Sequence, residues 1–205
     1  MKKADASSPT VAQESVVITA AIEYHYRRYV TKMETPGEYL QNDTDENVII
    51  LLKGILTDIM ATVNPKLYRK YIITNKKGEA LLYVKIQKAL YGLLWGAILS
   101  YLKLVKDLED FGLENSPYYP WFTNNMINVK QITVRWHVGD LNFSYKNPFQ
   151  VTTFAEYLSS VYEKINVTRG KVSDYLGINL YYYEDGKVKI SMIKYVQNIL
   201  YAFLE

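Results

Sequence analysis

The sequence of 205 residues is long enough for one large domain or two small ones with a substantial hydrophobic core. Apolar residues make up 49%, charged residues 22% and the formal net charge is +3, which excludes a wholly disordered, collagen-like or strongly acidic chain. Because there is no cysteine and there are only two histidines, disulfides, a thiolate nucleophile and a Cys/His zinc site are excluded. Any metal bound here would need oxygen ligands.

No apolar stretch reaches the roughly 20 residues that a membrane-spanning helix requires. The apolar uncharged run at residues 89–102 is too short for that. The first fourteen residues lack periodicity and contain no convincing signal peptide, so residues 1–14 are predicted to be a flexible tail and residues 15–205 the folded domain. We expect a soluble intracellular chain, cytoplasmic or nuclear, with no secretory signal and no membrane partner.

The spacing of apolar residues predicts both helices and strands in the first half of the chain. Helices are predicted over residues 16–28, after Gly54, and over residues 93–111. Extended segments are predicted at residues 29–35, 48–52 and 80–86. Pro65 is expected to close the helix that follows Gly54, and Gly112 to stop the helix over residues 93–111.

The second half begins with a change of period. Residues 131–137 alternate apolar and polar side chains, which is typical of a half-buried strand, and residues 141–144 form the predicted return strand across a turn at Gly139 and Asp140. Further helices are predicted at residues 151–163 and 194–204, and strands at residues 175–183 and 187–192 around a turn at 184–186. Because helices and antiparallel hairpins are mixed without β-α-β alternation, the predicted class is α+β.

Tyrosine is unusually abundant, with 20 residues, many of them beside lysine or arginine. Interleaved cations and rings suit phosphate contact and base stacking. The same composition also describes tyrosines at the edge of a core, with the ring buried and the hydroxyl in water. A net charge of +3 is a weak electrostatic signature, so composition alone favours the second interpretation.

A hairpin tip is a rigid place on which to mount an acidic residue, and residues 137–140 have this character. A carboxylate such as that of Asp140 holds a divalent cation if other carboxylates converge on it. Taken alone, the motif favours the simpler interpretation, in which Asp140 is only a turn residue and Gly139 only a requirement of the backbone.

Four short segments share an order and spacing with a known family. They are residues 34–40 (Glu-Thr-Pro-Gly-Glu-Tyr-Leu), 88–93 (Lys-Ala-Leu-Tyr-Gly-Leu), 136–141 (Trp-His-Val-Gly-Asp-Leu) and 174–178 (Asp-Tyr-Leu-Gly-Ile). From about residue 16 to residue 205 the chain resembles the reverse transcriptase domain of copia-type LTR retrotransposons. The resemblance implies a polymerase palm with an antiparallel sheet and packed helices, part of the fingers and the start of the thumb.

The resemblance also implies which residues stand at the catalytic positions. Glu34 takes the place of the first metal-binding aspartate, Gly139 that of the second and Asp140 that of the third. Glutamate and aspartate are potential Mg²⁺ ligands, whereas glycine offers none. The resemblance therefore implies that Mg²⁺ binding through Glu34 and Asp140 is weak or lost, and that the enzyme is catalytically impaired.

Other positions carried over from the family concern substrate contacts. Tyr39 matches the aromatic residue that screens the sugar 2′ position of the incoming nucleotide. Trp95 and Ile98 replace a glutamine and an arginine found in many members, and Leu176 and Gly177 are expected in the strand after the palm helix. The implied partners are an RNA template, a DNA primer and a dNTP.

Three functions remain open on this basis. The first is an RNA-directed DNA polymerase domain of a copia-type polyprotein, impaired in its catalytic carboxylates. The second is a non-catalytic nucleic-acid-binding module that keeps the palm, and the third is an interaction domain in which the motifs are relics. Gly139 favours the second and third over an active enzyme.

Overall fold

The computed structural model describes residues 11–44, 47–93, 95–127, 129–185 and 187–203. The helices are α1 (Gln13–His25), α2 (Ile55–Val63), α3 (Pro65–Tyr68), α4 (Gly96–Asp110), α5 (Pro148–Val161) and α6 (Ile193–Ala202). The strands are β1 (Tyr29–Glu34), β2 (Ile49–Lys53), β3 (Ile73–Thr74), β4 (Ala80–Lys85), β5 (Glu114–Asn115), β6 (Phe122–Ile127), β7 (Lys130–His137), β8 (Asp140–Tyr145), β9 (Asn166–Arg169), β10 (Val172–Tyr175), β11 (Ile178–Tyr182) and β12 (Val188–Ser191).

Three antiparallel sheets organise the described part of the chain. The largest has the strand order β5-β6-β7-β8-β1-β9, and two three-stranded sheets have the orders β10-β11-β12 and β2-β4-β3. Helices and antiparallel sheets are thus mixed, as expected for the α+β class. Within the described part of the chain, no helix is both long and apolar enough to cross a membrane.

The main core lies between the large sheet and the helices α4 and α5. Its buried side chains include Trp136 and Phe143 from the sheet, Leu104 and Leu108 from α4, and Phe154 from α5. The rings of Phe143 and Phe154 stack with their centroids 4.4 Å apart. Close packing at this face fixes β7 and β8, the strands that meet at the predicted positions Gly139 and Asp140.

The opposite face of β7 is buried as well, which corrects the prediction of a half-buried strand. The polar residues Thr133 and Arg135, predicted to face water, are inaccessible to solvent. The guanidinium of Arg135 lies 3.3 Å from the Glu23 carboxylate of α1 and 5.4 Å from the ring centre of Tyr175. The apolar residues of β7 therefore face α4 and α5. The polar face of the strand is covered as well, through the contacts of Arg135 with α1 and β10.

Most other predicted elements are confirmed within a few residues, and some details differ. The helix α1 begins at Gln13 and Val11 is buried, so the fold extends into the predicted tail; residues 1–10 lie outside the described residues. The helix α4 begins at Gly96 instead of residue 93. Pro65 opens α3 instead of only closing α2, because its fixed φ suits the first helical turn and Asn64 accepts a hydrogen bond from the Leu67 N–H.

The position of Leu176 and Gly177 is also different from that predicted. They form the two-residue turn between β10 and β11, with φ of +55° and +73°, and do not belong to a strand. Two successive positive φ values match the turn that joins twisted antiparallel strands. A Cβ at Gly177 would lie 2.7 Å from the ring of Tyr195 on α6. The absence of a side chain at Gly177 therefore lets α6 pack against the turn. In the turn predicted at 184–186, Gly186 lies outside the described residues.

The strand β6 was not predicted from the sequence. Its segment Phe-Thr-Asn-Asn-Met-Ile has neither the apolar alternation nor the β-branched content that marks a strand. It is held by pairing with β7, whose own pattern is strong. The tertiary partner therefore decides the conformation of this segment.

Candidate active site at the ends of the central strands

The hairpin between β7 and β8 places the predicted catalytic residues. His137 and Asp140 are opposite each other in the ladder, so the two-residue turn is Val138-Gly139 and Asp140 is the first residue of β8. The prediction that Asp140 lies in the turn is therefore off by one residue. Val138 has φ of +52°, which is unusual for a β-branched residue and costs on the order of 1–3 kcal/mol.

Glu34 and Asp140, which the resemblance assigns to two of the metal-binding positions, lie on neighbouring strands. They are cross-strand partners at the adjoining ends of β1 and β8. The ammonium of Lys32 lies 2.6 Å from Glu34 Oε1 and 3.9 Å from Asp140 Oδ1. The cation that the two carboxylates share is thus a side chain of the protein itself.

The titration behaviour of these three groups reflects this arrangement. The hydrogen bond from Lys32 holds the pKa of Glu34 below its usual range. Burial opposes the charge of Lys32, but the hydrogen bond to Glu34 and the neighbouring carboxylates outweigh it and raise the pKa of Lys32. Burial, together with the charges of Glu34 and Asp174, raises the pKa of Asp140. Lys32 therefore stays charged while it neutralises Glu34.

Gly139 is packed against the segment that follows β1. Its carbonyl accepts hydrogen bonds from the N–H of Thr35 at 2.9 Å and from the Thr35 hydroxyl at 3.2 Å. A Cβ at position 139 would lie 2.8 Å from Thr35 Oγ1 and 3.1 Å from both the Thr35 carbonyl oxygen and Glu38 Oε2. A side chain at this position requires its neighbours to move.

Glu38 is a buried carboxyl that the sequence analysis left without a role. The residue is 3% exposed, and its Oε2 has no hydrogen-bond partner among the described residues. Burial and, to a smaller extent, the charge of Asp140 raise the pKa of Glu38 to about 7, against the opposing charge of Lys103. The sequence offered one sign that a side chain is buried here, which is Gly139. Because glycine has no side chain, it leaves space that a neighbour such as Glu38 fills.

The carboxylates at this site do not fit a paired divalent-metal centre. Glu34 is already bound to Lys32, Gly139 supplies no ligand, and the orphaned Glu38 oxygen is enclosed beside position 139. No group of three or more Asp, Glu, His or Cys side chains in the described ranges is arranged to hold a metal ion. The structure brings the predicted ligands Glu34 and Asp140 together, but in a pairing with lysine.

The predicted substrate-contact residues lie beside this site at the start of α4. Tyr39 is 8% exposed, its ring centre lies 4.1 Å from that of Tyr91, and its edge packs so closely on Gly96 that a Cβ there would be 2.9 Å away. Burial raises the pKa of the Tyr39 hydroxyl. Trp95 caps α4 and Ile98 follows in its first turn. The role of Tyr39 toward a nucleotide stays a prediction, and its ring is enclosed by protein.

No protein-family model and no curated protein sequence matches this chain. Among solved structures it is similar to a Candida tropicalis telomerase truncated from its C-terminal domain, with 13% identity and a TM-score of 0.48 over 90% of this chain and 41% of that one. It is also similar to apo telomerase of Candida tropicalis (13% identity, TM-score 0.44, 90% and 37% covered). A third similar structure is a Candida albicans telomerase in complex with a TWJ fragment of telomeric RNA. Its sequence identity is 11% and its TM-score 0.44, over 94% of this chain and 36% of that one. The chain spans less than half the length of each.

Proposed function

We propose that the chain is a reverse transcriptase palm domain of the copia type with an impaired catalytic centre. The supporting observation is the pairing of Glu34 with Asp140 on adjacent antiparallel strands, next to the Val138-Gly139 turn. This is the convergence expected of a polymerase palm from the order of the four motifs. It brings together carboxyl groups that are more than a hundred residues apart in the sequence.

Two features of the same site account for the impairment. Two-cation nucleotidyl transfer depends on several carboxylates that converge on the reacting phosphate. Here Lys32 neutralises Glu34, and Gly139 has neither a carboxylate nor the space for one. Because each 1.36 kcal/mol or so of lost transition-state stabilisation costs tenfold in rate, losing several kcal/mol reduces turnover by several powers of ten.

The partners proposed from the resemblance are an RNA template with a DNA primer, and a dNTP if any chemistry survives. A second candidate function is a nucleic-acid-binding module that uses the palm without polymerising. The enclosed position 139 and the Lys32 ion pair favour this second candidate, because both are compatible with a stable fold and neither serves catalysis.

Primer extension on a poly-rA template with an oligo-dT primer and Mg²⁺ tests the first candidate. The unmodified protein should incorporate nucleotide at background level. A repaired variant needs more than Gly139→Asp, because the new side chain would collide with Thr35 and Glu38. We expect measurable extension only when Gly139→Asp is combined with Thr35→Ala, Glu38→Ala and Glu34→Asp, and loss of that activity on adding Asp140→Asn.

Fluorescence anisotropy with a labelled RNA–DNA hybrid tests the second candidate. The unmodified protein should bind the hybrid, and binding should weaken between about 50 mM and about 200 mM salt. Robust dNTP incorporation by the unmodified protein would contradict the impairment. Absence of hybrid binding at the lower salt concentration would contradict a nucleic-acid function altogether.

A further inference from the structure

A cavity of about 600 Å³ lies at the opposite end of β1 from Glu34. Its walls come from the end of α1, the first three residues of β1, the start of α5 and the segments 169–171 and 182–184. Tyr29 and Glu34 are five residue steps apart along the strand, which corresponds to about 17 Å. The cavity is therefore distinct from the candidate active site, and it does not depend on the proposed polymerase ancestry.

The acidic side chains that line the cavity are already engaged. Glu23 pairs with Arg135 at 3.3 Å and accepts a hydrogen bond of 2.8 Å from the hydroxyl of Tyr182. Glu184 pairs with Lys171. Because each carboxylate is paired with a cation, its repulsion of an anionic ligand is weakened.

Three arginines line the same cavity: Arg27, Arg28 and Arg169. Arg28 is held in place, since it donates to the Thr133 hydroxyl at 2.9 Å and to Gln131 at 3.0 Å. Arg27 and Arg169 are exposed and form no ion pair with any of the residues that the structure describes. The cavity thus presents two uncompensated guanidinium groups, which favour phosphate through planar, paired N–H donors.

The backbone at Arg27 is unusual in a way that supports a functional reading. Arg27 has φ of +50° directly after the end of α1, and its N–H bonds to the carbonyl of Tyr24 at 2.9 Å. Glycine or asparagine is favoured at such a position, because a Cβ there crowds the neighbouring backbone. An arginine at a position that favours glycine is consistent with a role of its side chain in binding a ligand.

Aromatic and aliphatic groups complete the lining. Tyr24, Tyr29 and Tyr183 supply ring surface, and Val30 and Val151 supply the apolar part of the wall. Tyr29 and Tyr183 remain about half exposed, so their rings are accessible to a ligand. Ring faces beside free arginines suit a flat base attached to a phosphate.

We propose that this cavity binds a nucleotide, with its phosphate on Arg27 and Arg169 and its base against the tyrosine rings. The volume is within the range of small-molecule sites. A free nucleotide and a nucleotide at the end of a single strand offer the same chemistry. The two sources differ in what continues from the phosphate, and the experiment separates them.

Isothermal titration of the full chain with AMP, adenosine and a 5′-phosphorylated adenine oligonucleotide tests the proposal. AMP should bind at least tenfold more tightly than adenosine, because adenosine has no phosphate. The double variant Arg27→Gln, Arg169→Gln should weaken AMP binding at least tenfold. The matched control Lys66→Gln, Arg69→Gln removes the same charge from exposed positions outside the cavity and should leave binding unchanged.

The oligonucleotide distinguishes the two sources. Binding of AMP alone identifies a free-nucleotide site, and tighter binding of the oligonucleotide, lost in the arginine variant, identifies a strand end. A second measurement uses unmodified protein: AMP should protect Arg27 and Arg169 from phenylglyoxal, as read by mass spectrometry. Failure of both ligands to bind at millimolar concentration, equal effects of the two double variants, or absence of protection would overturn the proposal.

Discussion

The buried carboxyl of Glu38 makes the stability of the fold depend on pH. The pKa of Glu38 is raised from its ordinary value of 4.5 to about 7, so the folded state binds a proton more tightly than the unfolded chain does. Between these two values stability falls as the pH rises, and the loss is complete about one pH unit above the higher value. From about pH 5 to about pH 8 this one group lowers the free energy of unfolding by about 2–3 kcal/mol.

Glu38→Gln removes the ionisation and should remove this part of the pH dependence. Urea unfolding at the two pH values measures it: the midpoint of the unmodified protein should fall by roughly 1 M more than that of the variant. Glu109→Gln makes the same chemical change at an exposed position of α4 and should behave like the unmodified protein. If the Glu38→Gln and unmodified proteins lose stability in parallel, the carboxyl is not confined as described and the reasoning is refuted.

Three further substitutions test the contacts around the central strands, each by urea unfolding. Gly139→Ala should lower the free energy of unfolding by about 1–3 kcal/mol, because its Cβ meets Thr35 Oγ1 at 2.8 Å; an unchanged value would contradict the close packing. Lys32→Met should cost on the order of 1 kcal/mol near neutral pH, since its two carboxylate partners then repel each other, and the cost should shrink in acid, below the usual range of a glutamate, where Glu34 becomes protonated. Arg135→Met should cost about 3–5 kcal/mol by leaving Glu23 buried and unpaired, and adding Glu23→Gln should recover much of it; a purely additive double variant would contradict the pairing.

Local sequence patterns determined much of the secondary structure. The three- and four-residue apolar spacing in α4 and the alternation in β7 each reflect one face in contact with a core, and such faces leave a periodic signal. The hairpin between β7 and β8 followed from the alternation and the turn residues around Gly139. The assignment of Glu34 and Asp140 to one site came from the family resemblance and not from any local pattern.

Tertiary structure alone decided the character of the site. Lys32 lies on the same strand as Glu34, yet its position between two carboxylates depends on the register of β1 against β8. Glu38 is buried because Gly139, a hundred residues later, leaves it room. Arg135, which the alternation placed toward water, is covered by α1 and β10. Hydrophobic periodicity reveals a buried face only when that face packs against apolar residues. A buried ion pair, a missing Cβ and a shared cation each depend on contacts between residues distant in sequence.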